Sequence, residues 1–265
     1  MARVSMLSTA VYLYCVVRAA RRPSLSRVPP GLTGGSRPDA RKLSSSLWLI
    51  TAEVPLDIYG PEHLSSRLRD LDWVSETALT HEAVIEHFSR ARGAVVVPMK
   101  LFTMFSSMDK AIADTLAGKT AIERAMRHIA GSEEWGVRIT RRPGVAAPAS
   151  GKAAARVTGA AFLTAKKEAR DASAQARATS LAAADQAFNR LTRYAKDSQQ
   201  RPRRQEPGTN PPILEAAFLV TSGSRARFKA AARRQAALCA SAGADMTLTG
   251  PWPAYNFIGA PKESA

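Results

Sequence analysis

The alternation of apolar and polar positions opens on Thr9–Val17 (TAVYLYCVV), apolar on both faces, which predicts a strand buried on both sides. The run reaches back to Met6 and is short of the roughly 20 residues that a bilayer span needs. Val11, Tyr12, Tyr14, Val16 and Val17 are β-formers, and Arg18 stands where a leader's cleavage region needs small neutral residues, so a strand is preferred to a signal peptide. Residues 18–46, rich in Arg, Pro, Gly and Ser, break the pattern and predict a long loop or flexible linker too polar to pack. Ser46–Val54 reads as a second strand, ended by Pro55, and Pro61-Glu62 opens a helix with proline in its first turn. Helical spacing from Trp73 to Arg92 nominates Val74, Leu79, Val84, Ile85 and Phe88 for the core. Gly93 closes that helix, and Ala94–Met99 is a third strand in which Pro98 demands an end or an edge. A helix over Ser106–Leu116 stops at Gly118; Thr120 and Glu123 form a capping-box pattern for the next, which runs to Ala130. Glu134–Thr140 alternates as a short strand.

The second half is built differently. Pro143–Gly151 is a Gly, Pro and Ala linker, and residues 159–197 are strong helix formers with an apolar stripe at Leu181, Phe188, Leu191 and Tyr194. Ser198–Pro212 predicts a polar loop, Ile213–Thr221 a strand, Ser224–Ala242 a helix capped by Ser224, and Ala244–Thr249 a final strand. The tail Gly250–Phe257 reads GPWPAYNF; Pro251 and Pro253 remove two ladder donors, which puts it on an edge or surface. Its Trp252, Tyr255 and Phe257 suit either a contact surface or the closure of a core. A faint echo, GAAFLT at 159–164 and EAAFLV at 215–220, is of the kind that Ala-rich sequence produces by chance. The order of elements predicts an α+β chain of two small domains: an N-terminal α+β domain over 1–132 carrying the loop 18–45, a C-terminal α+β domain over 133–249 with Ala-rich helices, and a C-terminal tail over 250–265.

Charge sharpens that division. The 265 residues carry 38 Lys plus Arg against 22 Asp plus Glu, a net +16. Residues 18–42 hold seven bases and one acid, 53–134 nine bases and thirteen acids, and 152–234 seventeen bases and six acids. A basic excess raises nucleic acid or a membrane surface as partners. Yet Phe188 and Tyr194 are the only aromatics between 163 and 217, so the basic stretch lacks interleaved stacking groups, and no nucleic-acid-reading signature is present. A basic, non-catalytic nucleic-acid-binding protein is therefore the alternative rather than the preferred reading.

Motifs for chemistry are missing. Cys15 and Cys239 lie 224 positions apart with no C-x-x-C, which excludes a disulfide framework and fits a reducing compartment. His81-Glu82 starts a pattern with His87, but at i and i+6 the two imidazoles are about 120° apart on a helix and cannot share a metal; capping or surface roles are expected for the histidines. No phosphate-cradling glycine loop or nucleophile elbow occurs. The expectation is a protein without enzymatic activity, metal or cofactor.

Several blocks in order resemble the gas vesicle protein GvpF/GvpL family. Leu248–Phe257 (LTGPWPAYNF) matches the family's closing G-P-W-P-x-Y-x-F element at Gly250, Pro251, Trp252, Pro253, Tyr255 and Phe257. Tyr12-Leu-Tyr14 with Val16-Val17 is similar to its opening strand and His81-Glu-Ala-Val84 to its H-x-x-V helix. Glu134-Trp-Gly-Val137 and Ala217-Phe-Leu-Val220 are similar to two later strands. Pro98, Lys100, Thr103 and Phe105 follow its P-x-R-F-G-T-x-F block, with Lys for Arg and Phe102 for Gly, which puts a bidentate ion pair and a left-handed backbone there in doubt. The likeness spans the chain apart from 18–45, which looks like an insertion, and the 141–158 linker. It implies two α+β domains, the first ferredoxin-like, and a non-enzymatic accessory or minor structural protein of gas vesicles, placed at the gas vesicle or in the cytoplasm. The implied partners are the small hydrophobic shell subunit and other gas vesicle accessory proteins, with no small-molecule substrate, specific nucleic acid or membrane span.

Overall fold

A computed structural model describes residues 8–142, 159–202 and 211–259. Ser132–Pro251 forms one compact unit, and the described residues on either side of it form the other. In this second group the sheet is made by β1 (Thr9–Arg18), β2 (Asp39–Lys42), β3 (Leu47–Pro55), β4 (Val95–Pro98) and the two-residue β5 (Met104–Phe105). The order is β2-β3-β1-β4, every neighbour antiparallel, with β5 on the first half of β1. The doubly apolar run thus lies in the middle of the sheet, and Ala10–Val17 are all buried. Pro98 ends the edge strand β4, where its missing N–H costs the ladder nothing. The helices are α1 (Leu56–Tyr59), α2 (Pro61–Arg67), α3 (Leu71–Ser89), α4 (Met108–Ala117) and α5 (Lys119–Ile129).

Three expectations are corrected here. Residues 18–45 are not an unpacked linker: they contain β2, and Leu32 and Ala40 are buried. Tyr14 Oη accepts the Leu32 N–H at 3.0 Å, Tyr59 Oη donates to the Thr33 carbonyl at 3.1 Å, and the Ser36 N–H donates to the Glu53 carbonyl at 2.8 Å. A few apolar residues spaced among arginines and prolines suffice to pin the loop to a core built elsewhere. Second, Leu79 is 71% exposed, and the inward stripe of α3 is Thr77, His81, Val84, Ile85 and Phe88. Two polar residues occupy that stripe because their polar atoms have partners; Thr77 Oγ1 donates to the Trp73 carbonyl at 2.7 Å. Asp70 caps the helix, accepting from Asp72 and Trp73 N–H at 3.1 Å each. Third, the Thr120–Glu123 box does not form: Gly118 is the N-cap of α5 without a side-chain bond, and Glu123 faces Lys119 at 3.8 Å.

The unit Ser132–Pro251 comprises β6 (Ser132–Arg141), α6 (Gly159–Thr192), β7 (Asp197–Gln200), β8 (Leu214–Thr221), α7 (Arg225–Ser241) and β9 (Ala244–Trp252), whose last residue lies just past the unit's end. Its sheet order is β7-β8-β6-β9. Read in chain order this is β-α-β-β-α-β with spatial order 2-3-1-4, the ferredoxin-like arrangement with both helices present. The other sheet has the same spatial order, but residues 19–38 replace the helix between β1 and β2. The repetition lies in topology only, for the echoing hexapeptides fall in α6 and in β8. Strand β7 (DSQQ), expected as loop, is an edge strand that pairs through its backbone from Asp197↔Leu219 to Gln200↔Ala216 and needs no apolar side chains. Ser224 sits at the N-cap of α7 without a side-chain bond. In α6 the buried positions are Ser180, Ala184, Ala187 and Leu191, with Leu181 and Phe188 only half-buried, while residues 160–179 are exposed throughout. The 143–151 linker and the middle of the 198–212 loop lie outside the described residues.

Candidate interaction site

The two tyrosines of β1 and the polar part of the α3 stripe meet in a buried knot. Tyr12 Oη and His81 Nδ1 are 2.8 Å apart, and His81 Nε2 lies 3.2 Å from the Met99 carbonyl. A carbonyl only accepts, so Nε2 carries the proton, Nδ1 accepts, and Tyr12 donates to it. Tyr12 Oη in turn accepts the Phe102 N–H at 3.2 Å. The rings pack as well: His81 stacks on Tyr14 at 5.6 Å between centroids and meets Tyr12 edge-on at 5.6 Å. Burial lowers the His81 pKa to about 4, against the upward pull of its bond to Met99, so the imidazole is neutral near pH 7. Burial likewise raises the Tyr14 phenol to about 12 and pushes Tyr12 still further up. Every group holds a fixed proton and a fixed partner, which makes the knot a positioning device.

What it positions is the segment between β4 and β5. The Met99 N–H donates to the Tyr14 carbonyl and the Leu13 N–H to the Thr103 carbonyl, both at 2.9 Å. Thr103 Oγ1 donates to the Lys100 carbonyl at 2.7 Å, closing a tight turn. Phe102 has φ +64°, the left-handed region, so the backbone conformation put in doubt by the loss of glycine is present after all. Its ring stacks on Trp73 with centroids 5.8 Å apart and planes 3° from parallel, a contact that offsets the backbone cost. Lys100 is exposed on the same turn.

The tail reaches the same region. Tyr255 packs against the core that contains Tyr12, Tyr14 and Cys15, and its hydroxyl donates to Glu82 Oε2 at 2.6 Å, one residue from His81. Burial, then the Glu82 bond, pushes the Tyr255 pKa well above the usual phenol value. Phe257 is 2% exposed with its ring 6.5 Å from that of His128 on α5. Trp252 is 45% exposed. Pro253 is buried and Pro251 exposed. Gly250, at φ +120°, closes the edge strand β9: a Cβ there would lie 2.8 Å from the Glu134 carbonyl and 3.3 Å from the Trp135 ring. The predicted residues therefore separate. Pro98 and Thr103 build a turn, Tyr255 and Phe257 close a core, Gly250 and Pro251 finish a strand, and Lys100 and Trp252 face solvent. Tyr12, His81 and Glu82 were not singled out as a set; the readable signal was His81 four residues from both Thr77 and Ile85. The expectation of surface or capping roles fails for His81, which is 3% exposed.

Among the described residues no group of three or more His, Cys, Asp or Glu could hold a metal ion, and no helix is long and apolar enough to cross a membrane. Cys15 and Cys239 are both buried and free, the thiol of each pushed up by burial.

A model of the family described as gas vesicle synthesis protein GvpL/GvpF matches residues 10–259. The chain belongs to the GvpL/GvpF family. It is 28% identical over 259 residues to gas vesicle protein L of Streptomyces sp. (strain CB03234), covering 93% of each chain. The crystal structure of GvpF from Anabaena sp. PCC7120 superposes with a TM-score of 0.66 at 14% identity, covering 97% of this chain and 99% of that one. That of GvpF from Microcystis aeruginosa gives 0.60 at 13%, covering 95% and 99%. The two-sheet α+β fold is thus that of GvpF, and in this GvpL/GvpF chain the turn after Pro98 has a left-handed residue that is not glycine.

Proposed function

We propose that this GvpL/GvpF chain is a non-enzymatic accessory or minor structural component of gas vesicles that binds the small hydrophobic shell subunit and assists nucleation and assembly, at the gas vesicle or in the cytoplasm. The observation that carries the reading is the family match over residues 10–259, joined by a buried Tyr12–His81 pair whose polar atoms are locked in structural bonds. A subunit with an apolar face is aggregation-prone before it assembles, and a partner shielding it needs accessible apolar surface of its own. Phe162 and Leu163, 60% and 66% exposed on the solvent-facing half of α6, and Trp252 supply such surface. Other gas vesicle accessory proteins are proposed as further partners on the same basis.

The test is co-purification of the shell subunit with the full chain at low and high salt. Apolar capture predicts retention that persists in high salt, and Phe162→Ala with Leu163→Ala or Trp252→Ala should reduce it without altering the melting temperature. Salt-sensitive retention of DNA with no shell-subunit capture would establish the nucleic-acid alternative instead.

A further inference from the structure

The stretch from the end of β1 to Ser24 and the segment that follows α3 enclose a cleft of about 380 Å³ within one unit of the chain. Its floor is apolar, with Ala19, Ala91 and Ala94 lying over the buried Val17 and Phe88, and its rim carries Arg21, Arg22 and Arg92 with no acidic residue in the lining. The volume falls in the range of preformed ligand sites, roughly 300–1,000 Å³.

Both walls are tied down. The Ala19 N–H donates to the Ser46 carbonyl at 2.9 Å, and Trp48 Nε1 donates to the Ala19 carbonyl at 3.3 Å, which fixes the first wall to β3. Across the cleft, His87 Nε2 lies 3.4 Å from the Ser24 carbonyl. Arg22 is held by Asp39 at 2.6 Å. Neither Arg21 nor Arg92 has an acidic partner among the described residues, and both are exposed. Carbonyls near the end of α3 would repel an anion, but the Glu86, Phe88 and Ala91 carbonyls accept the N–H groups of Arg90, Ala91 and Ala94. The surrounding segment 18–42, seven bases to one acid, gives the opening a positive field.

We infer that this cleft is a docking site for an acidic, partly apolar peptide segment of a partner protein, in which one or more carboxylates meet Arg21 and Arg92 and an adjoining aliphatic side chain covers Ala19 and Ala94. Arginine forks match carboxylates in a planar, bidentate way, and the floor has no exposed aromatic ring on which a nucleobase would stack. The inference stands apart from the shell-subunit reading, since it specifies the chemistry of a segment and not which protein carries it.

The experiment is fluorescence anisotropy on the full chain with a short labelled peptide carrying two Asp-Leu pairs in a Ser/Gly background. Its Asp→Asn counterpart and a short labelled single-stranded DNA are the comparison probes. The acidic peptide should bind, and the Asn form should not. Arg21→Ala and Arg92→Ala should each weaken binding about tenfold, as expected for a charge-assisted hydrogen bond to a carboxylate. Ala94→Leu, which fills the floor and leaves the charge alone, should weaken it too, and the melting temperature of the arginine variants should match the parent. Failure of the acidic peptide to bind overturns the inference. So does equal binding of the Asn form, indifference to Arg21, Arg92 and Ala94, or DNA binding tighter than the peptide's and lost in the same variants.

Discussion

Phe102 lets a backbone term and a packing term be separated. An L-residue with a side chain costs about 1 kcal/mol in the left-handed region, where glycine is nearly free. Opposing that cost, the Phe102 ring stacks on Trp73 at 5.8 Å and is half-buried against the core. A stacked aromatic pair is worth about 1 kcal/mol beyond its area, and burying about half of the ring adds about 1 kcal/mol more. Phe102→Ala keeps the backbone cost and loses the ring, so it should destabilise by about 2 kcal/mol. Phe102→Gly also loses the ring but relieves the left-handed conformation, less about 0.5 kcal/mol for the extra freedom glycine gives the unfolded chain, and should destabilise by about 1.5 kcal/mol. The predicted order is wild type, then Gly, then Ala, whereas at an ordinary extended or helical position Ala exceeds Gly. Urea unfolding followed by tryptophan fluorescence reads the order, and exchange of the Leu13 amide, which donates to the Thr103 carbonyl, reports on the turn directly. If Ala is as stable as Gly, the left-handed strain argument is wrong; if Gly exceeds wild type, the ring does not offset the strain.

Four further outcomes follow from the same unit and from β9. The His81 pKa falls from 6.5 in the unfolded chain to about 4 in the fold, so its stability contribution is complete above pH 6.5 and is lost as pH drops toward 4. The span amounts to about 3 kcal/mol, and His81→Leu, though less stable at pH 7, should show a shallower fall of stability over that window in pH-stepped denaturation. Tyr255→Phe removes the hydroxyl donor to Glu82 and should cost about 1–3 kcal/mol, read as a lower melting temperature. Phe257→Ala, at a 2% exposed position, should cost about 3 kcal/mol, while Trp252→Ala should leave the melting temperature nearly unchanged; comparable losses for the two would contradict the assigned burial. Gly250→Ala should destabilise by more than 1 kcal/mol, because the added Cβ meets the Glu134 carbonyl at 2.8 Å and φ +120° disfavours any side chain, a change that calorimetry would detect.

What could be read in the chain beforehand depended on whether burial was achieved by apolar side chains or by polar groups with partners. β1 was legible because nearly every residue in it is apolar, and the helix boundary at Gly118 because glycine marks it, whereas the helix expected to run to Gly93 already ends at Ser89 with Arg90 as its cap. Leu79 was misplaced because a hydrophobicity pattern ranks it above Thr77 and His81, yet both of those bury more cheaply once the Trp73 and Met99 carbonyls and the Tyr12 hydroxyl take up their polar atoms. β2 and β7 were hidden for the complementary reason: an edge strand contributes backbone more than side chains, so DARK and DSQQ carry no alternating signal. The tail was the most informative stretch and also the most ambiguous, since aromatic residues suit cores and contact surfaces equally. Only three-dimensional neighbours divide them. Tyr255 has Glu82 waiting on α3, Phe257 has α5, and Trp252 keeps nearly half its surface in water. A motif that reads as one unit in sequence thus splits its labour: Gly250 lets the chain pass over Trp135, Tyr255 and Phe257 fasten it to a core, and Trp252 remains accessible.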